Sequence, residues 1–267
     1  MSDWDQMRRS GDITAQDMTK WQLEGAANPR EFARLHSRTG ARLAVGHTGT
    51  RYPLRAQLRF WADHATAKDA VESELPRAFA EELGMREFQT RCADREQYLL
   101  RPDLGRQFCP QTLRGIQLLN PRRADVCIYL ADGLSALAIQ SNGMDTLLTA
   151  RAALESKGLS FATPFVVRYG RVATMDHISQ AIGSAATCVL IGERPGLGVA
   201  DSMSAYCAYG ATVGMMESRR TVISNIHAKG TPAVEAGAWL ADLLIDMLRY
   251  RLSGIELRDA QNKSPQP

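Results

Sequence analysis

ADVCIYLA (124–131), LSALAIQSNGMDTLLTARAALES (134–156), FVVRYG (165–170), MDHISQAIGS (175–184) and TCVLIG (187–192) follow one another in the second half of the chain. The first, third and fifth runs are short and apolar, while the second and fourth are amphipathic at helical spacing. Such alternation predicts βαβ units around a parallel sheet. Downstream, RRTVISNI (219–226) reads as one more strand. PAVEAGAWLADLLIDMLRYRL (232–252) reads as a long closing helix, with Thr231 as cap, Pro232 as first helical residue and Gly254 after its C-cap. Upstream, the run from Pro53 places Leu54, Leu58, Trp61, Ala62 and Ala65 on one helical stripe, and further helical pieces reach residue 118, broken at Gly84 and at Arg101–Gly105. The expected fold class is α/β: a Rossmann-like, mostly parallel sheet with flanking helices, preceded by a smaller helical N-terminal part.

The expected domain plan has four parts. Residues 1–40 are a polar extension, partly disordered, with one short helix around Met18, Trp21 and Leu23. Residues 41–118 form the helical N-terminal domain, 119–258 the sheet domain and 259–267 a flexible tail.

Composition narrows the function classes. The chain has 267 residues, 45% of them hydrophobic and 23% charged, enough for a sizeable core without a disulfide or metal staple. No run approaches the ~18 apolar residues of a membrane span, and MSDWDQMRRSGDITAQDM (1–18) has no apolar h-region, so an intracellular chain without a membrane partner is expected. The five cysteines include no C-x-x-C pair and read as buried reduced thiols. A net charge of +3 with dispersed basic residues gives little footprint for nucleic acid. There are 27 Arg among the 32 basic residues, which points either to recognition of carboxylates, phosphates or a protein partner, or merely to genomic base composition.

In an open parallel sheet, ligands bind beyond the carboxyl ends of the strands. Three turns fall there: Asp132–Ser135, Arg171–Val172, and Glu193–Gly198, which reads E-R-P-G-L-G. In the last, glycines admit a bulky ligand and Pro195 stiffens the backbone. Glu193 can accept hydrogen bonds from amides or hydroxyls, and Arg194 can reach a phosphate or carboxylate. The competing reading is an ordinary strand-to-helix turn with a surface ion pair. Ser224–His227 serves either helix capping or ligand contact.

Other chemistries lack their signatures. G-x-G-x-x-G and the P-loop are missing, which argues against a nucleotide-dependent oxidoreductase. The five histidines are scattered and there is no H-E-x-x-H, so no metal site is assigned. G-x-S-x-G does not occur, and Asp176–His177, adjacent on a helix, point in different directions. D-x-H-x-x-G, by which some cobalamin proteins replace the cofactor's own base, is absent too.

Six blocks, in order and spacing, carry a specific resemblance: LADGLSALAIQSNG (130–143), YGRVATMDHI (169–178), LIGERPGLG (190–198), DSMSAY (201–206), SNIHAKGTP (224–232) and EAGAWLADLLIDMLRYRLSGIEL (235–257). Together they resemble the small subunit of ethanolamine ammonia-lyase. ARLAVGHTGTRYPLRAQLRFWADHATAKDAV (41–71) and YLLRPDLGR (98–106) extend the likeness to residues 41–258.

The resemblance implies a lyase that uses adenosylcobalamin to convert ethanolamine to acetaldehyde and ammonia. It implies a large TIM-barrel subunit as partner in a hetero-oligomer, with the small subunit closing the cobalamin site. It also implies either a bacterial microcompartment or the cytoplasm as location. Cobalamin-contacting positions carry over to Val172, Glu193 and Val222. The family has cysteine at the last, so Val222 is a departure that a backbone contact survives and a sulfur contact does not. No residue here is assigned as catalytic acid or base. The alternative from another class is a non-catalytic scaffold or chaperone subunit of a metabolic enzyme complex.

Overall fold

The computed structural model describes residues 13, 21, 23, 25–39 and 41–263. The expected disorder and most of the expected helix near Met18 fall outside these residues, as do 264–267. Two compact units emerge: Met1–Lys68 with Gly196–Gly198, and Asp69–Pro195 with Val199–Pro267.

In the first unit, α1 (Pro29–His36) is capped by Asn28, whose side chain accepts from Glu31 N at 3.2 Å. Trp21 and Leu23 lie outside any helix; Arg55 stacks over the Trp21 ring at 4.5 Å. Helix α2 (Leu54–Glu72) begins in this unit. Its Asp63 carboxylate takes Arg59 at 2.9 Å and also binds Arg42, which donates to Leu197 O. The apolar stripe read from the sequence does not face a core, because Leu54, Leu58 and Trp61 are all exposed.

The second unit is built on a six-stranded sheet in the order β1-β3-β2-β4-β5-β6. Strands β1 (Arg86–Gln89), β3 (Phe165–Arg168), β2 (Val126–Ala131) and β4 (Ala186–Gly192) are parallel. Strands β5 (Met203–Tyr209) and β6 (Thr221–Ile226) add antiparallel neighbours. All of β2 and β4 is buried, and alternate side chains enter different layers: Val126, Ile128 and Leu130 go to one, Cys127, Tyr129 and Ala131 to the other. The first layer is closed by α6 (Ala136–Ser156) and α8 (Ala233–Tyr250), the second by α5 (Pro110–Leu119) and α7 (Thr174–Ile182). Each fully buried aliphatic side chain contributes about 1.5–3 kcal/mol, and that burial holds the strand ends in place.

Several details differ from the sequence reading. The stretch 41–118 is not purely helical: besides α3 (Phe79–Glu82) and α4 (Arg95–Leu100) it contains β1, which pairs with β3, and from Asp69 it belongs to the sheet's own unit. Arg168 fixes that pairing, with Nε 3.0 Å and Nη2 2.7 Å from the Glu87 carboxylate. Pro232 is the N-cap of α8 rather than its first residue, and the helix ends on a left-handed C-cap, Arg251 (φ 58°), which Gly254 follows. Gly254 instead opens α9 (Gly254–Lys263), so the segment expected to be a flexible tail is helical as far as Lys263. Four cysteines are buried as expected; Cys109 is exposed. It caps α5, and hydrogen bonds from Thr112 lower its thiol pKa.

Candidate functional site

The chain passes from β2 through α6 to β3 on one side, then through α7 back past β2 to β4 on the other. The crossovers therefore reverse between β2 and β4, and a crevice opens where their carboxyl ends diverge. A cleft of about 390 Å³ lies there. All three sequence-selected turns reach it: Gly133 and Leu134 after β2, Arg171–Ala173 after β3, and Glu193 and Arg194 after β4.

Two glycines bring the turns after β2 and β4 together. A Cβ on Gly133 (φ 56°) would overlap Gly192 O, and one on Gly192 would overlap Ser135 O and lie 2.6 Å from Asp132 O. Leu134 N donates to Gly192 O at 2.9 Å. By contrast, among the described residues nothing lies within 4 Å of a Cβ built on Gly198, so their packing does not require that glycine. Ser135 caps α6: its hydroxyl accepts from Ala138 N at 3.1 Å and donates to Ala200 O at 2.7 Å.

Glu193 is half-buried and tied to both antiparallel strands. Its Oε2 accepts from Ser202 Oγ at 2.7 Å and its Oε1 from Ser204 Oγ; Oε1 also takes Asn225 N at 3.0 Å. Asn225 (φ 61°) reaches it from a left-handed conformation that asparagine tolerates. Among the described residues Glu193 and Arg194 form no ion pair, which removes the surface-pair reading of this turn. The Ser224–His227 segment folds on itself, with His227 Nε2 2.9 Å from Asn225 Oδ1 and Gly230 N donating to His227 O at 3.0 Å. It places Asn225 N on Glu193 and does not cap α8.

Val172 lines the same cleft as Glu193. Val222 does not. It is exposed on β6, in register with the cleft residue Tyr206, and borders a separate shallow groove with Ser218, Thr221 and Ile255.

Buried polar side chains adjoin the cleft residues Gly133 and Tyr98. Asp132 is fully buried, and burial raises its pKa to about 6, partly opposed by backbone hydrogen bonds and by Arg95. Its Oδ1 accepts from Gly170 N at 3.2 Å, whereas Oδ2 lies 4.0 Å from Arg95 Nη1 and has no hydrogen-bond partner. Arg95 donates to Gly133 O at 2.7 Å and stacks on Tyr98 at 4.9 Å. Arg171 covers Tyr98 at 4.4 Å, and its Nη2 donates to Tyr98 O at 2.8 Å. Asp176 is held by Arg220 through two 2.8 Å bonds, while His177 meets the Phe108 ring edge-on, so that adjacent pair forms no dyad.

A family model described as "Ethanolamine ammonia-lyase light chain (EutC)" matches residues 29–258. The chain belongs to that family. Proteins named "Ethanolamine ammonia-lyase small subunit" are 46% identical in Clostridium tetani (strain Massachusetts / E88) and 44% in Clostridioides difficile (strain 630). One from Fusobacterium nucleatum subsp. nucleatum is 42% identical. Each alignment covers 92% of this chain and 84–85% of the relative.

The cleft also holds residues that the sequence alone did not assign to it: Tyr98, Arg106, Tyr206 and Glu217. Tyr98 and Arg106 delimit YLLRPDLGR, a block that carried family likeness but no strand-end signal. Among the described residues no group of three or more His, Cys, Asp or Glu is arranged to hold a metal, and no helix is long and apolar enough to cross a membrane.

Proposed function

We propose that the chain is the small subunit of an adenosylcobalamin-dependent ethanolamine ammonia-lyase, acting on ethanolamine to give acetaldehyde and ammonia. Its cleft is one wall of a cobalamin site that a large TIM-barrel subunit completes. The observation that carries this reading is the meeting of Val172 and Glu193, from different turns, in one cleft at the crossover reversal.

The residues present fit the cofactor. A corrin rim bears primary amides, which both donate and accept. A carboxylate can accept about four hydrogen bonds, and Glu193 uses three within the chain, leaving capacity for an amide N–H. At about 390 Å³ the cleft embraces only part of such a macrocycle, in keeping with a site that needs a second chain. When bound, the cofactor supplies cobalt–carbon homolysis and radical hydrogen abstraction. Glu193 orients the rim, Val172 offers an apolar contact beside it, and the interlocked Gly133 and Gly192 turns keep that wall rigid and exclude water.

The test is co-expression with a large subunit, with ammonia release and the visible cobalamin spectrum recorded with and without this chain. Turnover and spectral change that depend on the chain are expected; an unchanged spectrum when it is omitted leaves only a scaffold role. Glu193→Gln in the assembled enzyme should weaken cobalamin binding by about 1.5–3 kcal/mol, the worth of a charged hydrogen bond. Unaltered affinity removes Glu193 from the site. The place of action is a microcompartment or the free cytoplasm, and whether the full chain cofractionates with shell proteins separates the two.

A further inference from the structure

The cleft carries an imbalance of charge that contact with neutral amides does not use. Five charged side chains line it: Arg106, Arg171, Arg194, Glu193 and Glu217. Both acids are engaged within the chain, Glu193 by two serine hydroxyls and a backbone N–H, and Glu217 by Arg220 at 2.5 Å. Arg171 is committed to the Tyr98 carbonyl and ring. Arg106 and Arg194 are exposed at the cleft, and among the described residues neither guanidinium has an acidic or carbonyl partner. Two exposed guanidinium groups without an acidic or carbonyl partner, in a cleft lined by three arginines and two acids, make a receptor for an anionic group with several oxygens.

We infer that Arg106 and Arg194 bind the phosphodiester of the cofactor's nucleotide tail, so that the small subunit selects the complete cobalamin over a corrinoid that lacks the tail. This rests on the cobalamin reading above and deepens it. The phosphodiester is the anionic group of a cofactor whose corrin rim is otherwise neutral amide. An anion receptor next to the amide-orienting Glu193 therefore fixes which end of the cofactor faces this chain. Arginine suits the task because its fork meets two phosphate oxygens at once, whereas lysine offers a point charge.

The test is equilibrium titration of the co-expressed two-subunit complex, followed by visible absorption, with cobalamin and with cobinamide, the corrin without its nucleotide. Arg106→Ala and Arg194→Ala should each weaken cobalamin binding about tenfold, more when combined, and leave cobinamide binding unchanged. Added salt should narrow the gap between wild type and variant. Inorganic phosphate at millimolar concentration should compete with cobalamin in the wild type and not in the double variant. Both residues are exposed, so the variants should assemble normally, as checked by gel filtration.

Equal loss of cobalamin and cobinamide affinity, or no loss of either, overturns the inference while leaving the cobalamin reading intact. Competition by phosphate that persists in the double variant also overturns it, because the anion then sits elsewhere. A wild-type complex that binds neither corrinoid overturns the cobalamin reading and this inference together.

Discussion

Strand β2 and helix α2 are both apolar in pattern, yet they end in opposite environments. Every residue of β2 is buried, with its side chains divided between two helical layers. The stripe of α2 is spaced as regularly, but Leu54 remains 71% exposed, Leu58 41% and Trp61 58%. Periodicity identifies which residues share a face; it says nothing about what covers that face. For β2 the sequence also supplies the cover, because α6 and α7 follow in the same alternation. For α2 the sequence shows no comparable alternation around it.

Substitutions can break or sharpen this contrast. The largest effect is expected at the junction of the sheet ends, where Gly192→Ala would push a methyl into Asp132 O and Ser135 O. A loss of roughly 4 kcal/mol or more, or failure to fold, is expected in urea unfolding. A variant as stable as the parent would mean the two turns are not interlocked.

Next comes Leu190→Ala in β4, fully buried, for which about 3 kcal/mol should be lost, since transfer and cavity costs add. A cost below 1 kcal/mol would place the β4 core on the same footing as the exposed stripe.

Asp132 gives a smaller, pH-dependent effect. Its pKa is raised from 3.8 to about 6 in the folded chain, so the folded state holds the proton more tightly than the unfolded one. Its contribution to stability is therefore full below about pH 4 and is lost as pH rises through 6, by on the order of 2–3 kcal/mol. Asp132→Asn removes this dependence. Its stability relative to the parent should rise between pH 4 and pH 7 in paired denaturant titrations, and a constant difference would show that Asp132 does not titrate there.

The smallest effect is expected at Leu54→Ala, within about 0.5 kcal/mol for the chain alone. A loss comparable to that of Leu190→Ala would show the stripe to be covered after all.

Strands β2, β3 and β4 were legible because a short, continuous apolar run between turn residues is what a strand covered by two helical layers requires, and β6, though half exposed, was legible from its β-branched run Thr221–Ile223. Strand β1 was hidden: in R-E-F-Q only Phe88 is buried, and an edge strand has no second layer to demand apolar residues. The segment M-S-A-Y-C-A-Y of β5 was seen only as part of a motif, since serine and alanine are weak strand signals, yet it brings Ser204 to Glu193. The turns of the cleft could be found because strand ends are where ligands gather. Arg106 and Tyr98 could not, because they lie before β2 and only the tertiary fold brings them beside Arg171. Val222 was placed by likeness alone, and its antiparallel strand carries it to another groove.

Gly133 and Gly192 lie 59 positions apart, yet each occupies the room that a side chain on the other's turn would claim. They are in effect a single heritable unit. A chimera that draws the two turns from distant homologues keeps its crevice only where both parents carry glycine at both places, which makes the segment between them a poor site for a recombination crossover.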